Sequence, residues 1–142
     1  ERAGRGTDLG EALSFLNRVL RRKAVVFLIS DFLEDDEDFA APLRVANRRN
    51  DLVVFRVSDP RERELPDVGF VAVEDAEDGR VAWMDTASAG VRRSFAAEAR
   101  RRSDALRSRL RRMDVDLVEL STAEGVVAPL TRYFRGRERR LR

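Results

Sequence analysis

The sequence predicts an α/β fold, a three-layer Rossmann-like parallel sheet with helices on both faces and a β-hairpin appended to it. Short apolar runs near residues 24–31, 52–57 and 115–120 have the composition of core strands. Each run follows a segment whose apolar residues recur at helical spacing. Alternation of helices and strands favours a parallel sheet, because parallel strands require long crossover connections. The 142 residues suffice for one domain with a single modest core.

The first helix is predicted over residues 8–22. Asp8 followed by Glu11 is a capping-box pattern, and the leucines that follow recur at helical spacing. The next segment, residues 24–31, is an apolar run that ends in a carboxylate, which is typical of a parallel strand buried on both faces. Ligands and ions gather outside the carboxyl ends of such strands, so Asp31 lies where a ligand would bind.

An acidic run, residues 34–38, precedes the second predicted helix, residues 38–49. Carboxylates there suit the positive end of the helix dipole. A calcium loop is the alternative, but the run lacks the alternating ligand spacing and the mid-loop glycine of such a loop. The second strand, residues 52–57, is of the buried type, and Pro60 stops it.

A β-hairpin is predicted from two apolar strands, residues 70–73 and 80–84, which flank a loop containing Asp78 and Gly79. A long helix follows over residues 88–113, with one apolar stripe and arginines on its other faces. The hairpin is therefore an addition to the parallel sheet and not one of its core strands.

The third core strand, residues 115–120, alternates more strictly between apolar and polar residues, so it is expected nearer an edge of the sheet. A last helix is predicted over residues 126–137. Leu130, Tyr133 and Phe134 are expected to face inward from it, and the residues after it to be frayed.

Composition excludes several kinds of chemistry. The chain has no cysteine, which removes disulfides, thiolate metal sites and a cysteine nucleophile. It has no histidine, which removes the commonest general base and the usual zinc ligand. A glycine-rich phosphate loop and a Gly-x-Ser-x-Gly elbow are also absent from the sequence. A two-carboxylate site of Asp31 and Asp59 is the enzymatic alternative, and we expect no catalysis and no cofactor in this chain.

Charge is distributed unevenly along the chain. Residues 1–90 hold 13 basic and 19 acidic residues, whereas residues 91–142 hold 15 and 7. No segment approaches the roughly 20 apolar residues that span a bilayer, and no signal-peptide pattern is present. We therefore expect a cytoplasmic protein, whose membrane anchor, if it has one, lies in an amino-terminal region that precedes this chain.

Several motifs give the chain a resemblance to a known family. The first two are Gly6-Thr7-Asp8-Leu9-Gly10 and, after a basic spacer, a strand that ends in Ser30-Asp31-Phe32. Together they resemble the second half of a von Willebrand factor A domain. Two further motifs are Asp59-Pro60-Arg61-Glu62 and the closing run that ends in Phe134-Arg135-Gly136-Arg137. They are similar to the domain-of-unknown-function family fifty-eight, and the resemblance implies that residues 1–142 are the carboxyl-terminal part of one such domain.

The resemblance implies a metal-ion-dependent adhesion site, which the family builds from an Asp-x-Ser-x-Ser segment, a threonine and an aspartate. Thr7 matches the threonine and Asp31 the aspartate, but no Asp-x-Ser-x-Ser segment occurs in the 142 residues. Two ligands rarely hold a divalent ion, so we expect Mg²⁺ in a full-length protein and none bound stoichiometrically to this chain. An ordinary helix start and an ordinary strand end are the structural alternative for the two residues.

The resemblance also implies a protein–protein interaction module that works with a MoxR-type AAA ATPase in the assembly or activation of other complexes. Asp59, Arg61 and Glu62 form the candidate interaction loop, and the alternative is a turn held by an arginine–carboxylate pair. The other functional class is phosphate or nucleic-acid binding through the arginine-rich helix, residues 91–113. No aromatic residues interleave with those arginines, so nucleic acid is disfavoured as a partner.

In the fold that the resemblance implies, the strand over residues 24–31 pairs with a strand that this chain lacks. Its open edge would present unpaired backbone groups and apolar side chains, which invite another chain. We therefore expect a homodimer that covers this edge, with twofold symmetry as the default. A monomer whose first helix shifts over the edge is the alternative.

Overall fold

Helices and strands alternate along the chain as the sequence predicts. The computed structural model describes residues 8–33, 39–74 and 81–140. The helices are α1 (Leu9–Val19), α2 (Ala40–Arg49), α3 (Ala89–Arg112) and α4 (Val127–Arg140), and a short 3₁₀ turn spans Pro60–Glu62. The strands are β1 (Val25–Ser30), β2 (Asp51–Ser58), β3 (Phe70–Glu74), β4 (Val81–Asp85) and β5 (Asp116–Ser121).

A three-stranded parallel sheet, in the order β1-β2-β5, forms the centre of the fold. Ile29 of β1 stands beside Phe55 of β2, which in turn stands beside Val118 of β5. The hairpin of β3 and β4 forms a separate antiparallel pair in which Ala72 lies opposite Trp83. This architecture confirms the predicted α/β class with its parallel sheet and appended hairpin, and β5 lies at an edge of the sheet as predicted.

The main core lies between one face of the sheet and the helices α1, α2 and α3. Side chains alternate across a strand, so Leu52 and Val54 belong to this core while Val53 and Phe55 face the opposite way. Leu43 of α2 is fully buried in the main core. Its other fully or nearly buried members are Leu9, Leu13, Val26, Phe39, Ala46, Leu110, Met113 and Val115.

Helix α4 covers the other face of the sheet, over β2 and β5. Leu130 and Tyr133 pack there against buried side chains of these two strands, so helices lie on both faces as predicted. Phe134 does not follow the prediction, because nearly half of its side chain is exposed. Its ring packs edge-on against the ring of Tyr133, with centroids 5.2 Å apart, and the sheet does not cover the rest of it.

The ends of two helices differ from the predictions. Helix α1 ends at Val19, about one turn early, since Leu20 adopts an extended backbone. Helix α4 continues to Arg140, through residues that were predicted to be frayed. The acidic run and the hairpin loop, residues 34–38 and 75–80, lie outside the described residues.

Strand β1 is buried on one face only, so the prediction that both faces are buried was wrong. Val26 is buried against the helices, whereas Val25, Phe27 and Ile29 on the opposite face are exposed. Within the described part of the chain β1 pairs with β2 alone, which leaves its outer edge open. The apolar composition of β1 does not reveal that one face is exposed. Burial of that face depends on α4, which covers β2 and β5 and does not reach β1.

A polar network around Tyr133 fixes helix α4 to the sheet. The Tyr133 hydroxyl donates to Asp116 Oδ2 at 2.7 Å and accepts from Arg137 Nη1 at 2.7 Å. Arg137 also forms an ion pair with the Asp51 carboxylate at the start of β2. Burial, together with the hydrogen bond to Asp116, raises the pKa of Tyr133 to about 12.

We predict that this network makes the stability of the chain depend on pH in the alkaline range. A tyrosine in the unfolded chain titrates near about 10, so the folded chain holds the Tyr133 proton more tightly. The resulting stability is fully present below pH ~10 and is lost as the pH rises towards the folded pKa of about 12. Denaturant titrations at increasing pH should show this loss in the wild-type chain and not in Tyr133→Phe.

The same prediction can be checked spectroscopically, because the chain has a single tyrosine and phenolate absorbance therefore reports Tyr133 alone. A folded chain whose tyrosine titrates with the ordinary midpoint of about 10 would contradict the prediction.

Candidate functional site

The carboxyl ends of β1 and β2 bring predicted site residues to one edge of the parallel sheet. Asp31 directly follows β1 and Asp59 directly follows β2, and these two strands are neighbours. This edge is where open α/β sheets bind ligands. Thr7, the other predicted metal ligand, lies outside the described residues.

The Asp31 carboxylate is exposed and stabilises the turn that follows β1. Its Oδ1 atom accepts from the backbone N–H of Leu33 at 3.3 Å, and its carbonyl oxygen accepts from Arg56 Nε at 3.4 Å. Phe32, which lies between Asp31 and Leu33, has a positive φ of 55°, which is uncommon for a residue with a side chain. The Phe32 ring packs edge-on against Phe39, with centroids 5.7 Å apart, and this contact helps to hold the turn.

We predict that this chain binds no stoichiometric Mg²⁺ or Mn²⁺ at physiological concentration. Among residues 8–33, 39–74 and 81–140, no group of three metal-ligating side chains is placed to hold an ion. Mg²⁺ requires about six oxygen ligands, and Asp31 alone among the described candidates would supply one. Calorimetric titration with MgCl₂ and MnCl₂ checks this. A site of micromolar affinity that disappears in Asp31→Ala would refute it.

Hydrogen bonds of Asp59 fix the loop that follows β2. Asp59 Oδ2 accepts from the Thr122 hydroxyl at 2.7 Å, and Oδ1 accepts from the backbone N–H of Arg61 at 2.9 Å. These bonds, that of Thr122 first, hold the pKa of the Asp59 carboxyl below its ordinary value. Asp59 thus ties the end of β2 to the end of β5. The Thr122 hydroxyl and the Arg61 backbone N–H hold this turn. The alternative predicted from the sequence was a turn held by an arginine–carboxylate pair.

Arg61 and Glu62 complete the predicted interaction loop. The Arg61 side chain is exposed, whereas Glu62 is half-buried. The Glu62 Oε2 atom is buried without a hydrogen-bond partner in the part of the chain that the structure describes. The Arg61 side chain is therefore accessible at the surface of the loop, whereas Asp59 is engaged within the turn.

A buried arginine that was not predicted from the sequence lies at the same edge of the sheet. Arg56 of β2 is only 8% exposed. Its Nη1 atom donates to the Ser103 hydroxyl at 2.6 Å and lies 3.7 Å from Glu119 Oε1. Arg107 holds the same Glu119 carboxylate through both Nη2 and Nε, which lie 2.8 and 3.1 Å from Oε2.

The electrostatic environment of Arg56 is unfavourable for its charge. Burial lowers the pKa of Arg56; the Glu119 and Glu62 carboxylates oppose this effect, and the charges of Arg63 and Arg107 reinforce it. The sequence signal for this site was Arg56 itself, a charged residue inside an apolar strand, because charged side chains are rarely buried unless they are paired.

Several arginines of α3 are engaged in ion pairs and do not form an uninterrupted basic stripe. Arg101 and Arg102 both pair with Glu98 on the same helix. Arg92 pairs with Asp67 at 3.1 Å. Paired charges of this kind suit a solvated helix face better than a surface that neutralises a phosphate backbone.

One exposed apolar surface lies on the edge strand. This β1 face consists of Val25, Phe27 and Ile29, and Ile29 is 66% exposed. The Phe27 ring contacts that of Phe55 with centroids 5.4 Å apart, so the face continues into the small cluster beneath α4. An apolar face beside an open strand edge is a typical site of chain association.

A second exposed apolar surface lies on one side of the hairpin. The pairing of β3 with β4 places Phe70, Ala72, Val81 and Trp83 on the same side, because alternate residues of a strand share a face. Phe70 is 72% exposed and Trp83 is 74% exposed. A two-stranded hairpin is marginally stable in water without a surface to pack against. These four residues, termed the hairpin face, are therefore a candidate binding surface.

Comparison with known proteins identifies relatives of the chain. A family model described as Protein of unknown function DUF58 matches residues 1–105. The uncharacterized proteins Rv1480 of Mycobacterium tuberculosis and Mb1516 of Mycobacterium bovis are each 37% identical over 138 residues, which are 96% of this chain and 43% of each relative. The uncharacterized protein MAV169 of Mycobacterium avium is 35% identical over 133 residues, 93% of this chain and 77% of that relative. No solved structure matches the chain.

Proposed function

Since the chain belongs to the family Protein of unknown function DUF58, we propose that it is a protein–protein interaction module that carries out no catalysis. The observation that carries this proposal is the hairpin face, with Phe70 and Trp83 exposed at its surface. Exposed apolar patches mark interaction sites, and tryptophan is enriched where binding energy concentrates. The chain spans 43% of the length of the first relatives that it matches. What is said below of a whole protein is therefore also a proposal.

The base of the hairpin favours presentation of this face in a fixed orientation. Thr86 is fully buried, and its hydroxyl donates to the Gly69 carbonyl oxygen at 2.6 Å and accepts from the Val68 N–H at 3.2 Å. Gly69 has a φ of 81°, which glycine adopts without strain. Arg92 of α3 donates to the Thr86 carbonyl oxygen and so connects the hairpin to the long helix. A pre-organised surface loses less conformational freedom when it binds.

As the partner we propose a MoxR-type AAA ATPase, with which the chain would assemble or activate other complexes. The resemblance to von Willebrand factor A-like domains supports this choice. Arg61 in the loop after β2 is exposed and would add a charged contact. In a full-length protein, Thr7 and Asp31 would bind Mg²⁺ together with ligands that this chain does not supply.

The helices of the described residues include none that is long and apolar enough to cross a bilayer. We propose a cytoplasmic location for the chain, with any membrane anchor in a region that precedes it.

The test of the proposed function is an affinity measurement between this chain and a purified MoxR-type ATPase of the same organism. We expect Trp83→Ser to weaken binding at least ~30-fold, which corresponds to about 2 kcal/mol and is usual for a hot-spot residue. Because Trp83 is mostly exposed, the variant should keep the melting temperature of the wild type.

Ile29→Ser is the matched control, since it removes an apolar side chain of similar exposure from the β1 face. This control should bind the ATPase as the wild type does. Absence of binding by the wild type would contradict the choice of partner. Equal weakening by both variants would contradict the role of the hairpin face.

A further inference from the structure

A small cavity lies at the carboxyl ends of β1 and β2. It has a volume of about 270 Å³ and is bounded by the turn after β1, the 3₁₀ turn after β2 and the middle of α3. Five arginines and three carboxylates line this rim cavity; of these arginines, Arg102 is paired with Glu98 and Arg107 with Glu119, two carboxylates outside the lining. The arginines are Arg56, Arg63, Arg100, Arg102 and Arg107.

The charge of Arg56 is only partly balanced within the described protein. Its guanidinium donates to two neutral acceptors, the Ser103 hydroxyl at 2.6 Å and the Asp31 carbonyl oxygen at 3.4 Å. The Glu119 carboxylate lies farther off, at 3.7 Å, and is held at two points by Arg107, and Glu62 compensates the Arg56 charge less strongly than Glu119 does. A buried charge is stabilised only when a close opposite charge compensates for its lost hydration. Arg56 therefore favours an additional anion beside it.

Arg63 adds a second guanidinium group to the lining of the cavity. Its Nη2 atom donates to the hydroxyl of Ser58, which is a neutral acceptor and is itself buried. Arg63 is close enough to Arg56 for the two positive charges to disfavour each other. The cavity thus brings guanidinium groups of β2, the loop after it and α3 together around one space.

We propose that the rim cavity binds the phosphate group of a small phosphate monoester. Guanidinium groups match phosphate oxygens through paired, charge-assisted hydrogen bonds. A monoester carries about −1.5 to −2 charge at neutral pH, which can offset the charges of Arg56 and Arg63 together, whereas a carboxylate would offset one of them. The ligand is small, because cavities for drug-sized molecules begin at about 300 Å³.

The location agrees with the general rule that open α/β sheets bind ligands outside the carboxyl ends of their strands. The lining contains no residue of β3 or β4, so the rim cavity is separate from the hairpin face. Phosphate binding can therefore be measured on this chain alone, without the partner that the hairpin face is proposed to bind.

Calorimetric titration with inorganic phosphate and with glycerol 3-phosphate tests the proposal, and acetate at equal ionic strength is the comparison. We expect one site per chain for both phosphates and an affinity for acetate that is at least about ten-fold lower. Arg63→Gln and Arg100→Gln each remove one positive charge from the lining and should weaken phosphate binding about ten-fold.

Two further variants make the test specific to the cavity. Glu62→Gln removes one of the three lining carboxylates and should tighten phosphate binding. Arg93→Gln removes an exposed arginine of α3 that does not line the cavity, and it should bind phosphate as the wild type does.

Circular dichroism precedes the titrations, because Arg63 bonds a buried hydroxyl and its loss could affect folding. Arg100 is exposed, so Arg100→Gln keeps the test decisive if Arg63→Gln does not fold. Absence of phosphate binding by the wild type overturns the proposal. Equal affinities for phosphate and acetate overturn it as well, and so does a loss of binding in Arg93→Gln that matches the loss in Arg100→Gln.

Discussion

Leu43→Ala should lower the free energy of unfolding by about 2–5 kcal/mol, the range for removing a leucine from a packed core. Leu43 is 0% exposed and lies in the core that α1, α2 and α3 share with the sheet. Its truncation removes apolar contacts and leaves a cavity that the surrounding side chains fill only in part. A domain of this kind is stable by roughly 5–15 kcal/mol in total, so the substitution removes a large share of that stability.

Val45→Ala on the same helix is the matched control for this measurement. Val45 is 44% exposed, so its truncation should change the free energy of unfolding by at most about 1 kcal/mol. Urea titrations followed by circular dichroism give both values. Similar losses for the two variants would contradict the position of Leu43 at the centre of the core.

Ile29→Asp should convert a dimer of the chain into a monomer and weaken self-association at least about 100-fold, or ~2.7 kcal/mol. We propose that two copies cover the β1 face of one another, since an open strand edge beside exposed apolar side chains favours chain association. In a twofold contact the same residue enters from both copies, so the substitution places two carboxylates in one apolar interface. Burial of an unpaired charge there is strongly unfavourable.

Light scattering at high micromolar concentration measures this effect. The wild-type chain should scatter as a dimer with twice the chain mass of 16.2 kDa. Ile29→Asp should scatter as a 16.2 kDa monomer. Val127→Asp is the matched control, because Val127 is equally apolar and well exposed but lies on α4. A wild-type chain that scatters as a single 16.2 kDa species would contradict the dimer.

The order of the elements could be predicted because the local patterns are strong. Asp8 caps α1 as its spacing from Glu11 indicates, and its Oδ1 atom accepts from the Glu11 N–H at 2.6 Å. Such signals depend on neighbours within one helical turn, which the sequence displays directly. The ends of α1 and α4 were less predictable, since no proline or glycine closely follows Val19, and Gly136 lies inside α4 without ending it.

Exposure could not be predicted in the same way. Val25, Phe27 and Ile29 belong to an apolar run that resembles a fully buried strand, yet α4 does not reach them. Burial of a strand face depends on which other elements cover it. That information lies in the packing of distant segments and not in the composition of the strand.

The candidate site shows the same limit. Asp31 and Asp59 could be placed at one edge of the sheet because both follow apolar strands, whereas the adhesion-site role of Thr7 stays a prediction. Arg56 was overlooked because its partners are far away in sequence. Ser103 comes from α3, which packs against the sheet, and Glu119 stands beside Arg56 because β5 pairs with β2.

The fluorescence of Trp83 during titration with the proposed ATPase partner shows whether the hairpin face is the binding surface. Trp83 is the single tryptophan of the chain, so a tryptophan-free variant of the ATPase lets the emission report this residue alone. Because Trp83 is mostly exposed in the unbound chain, we expect a saturable blue shift as the partner buries the hairpin face. Complex formation shown by light scattering, with no change in the emission of Trp83, would contradict the claim that the hairpin face is the binding surface.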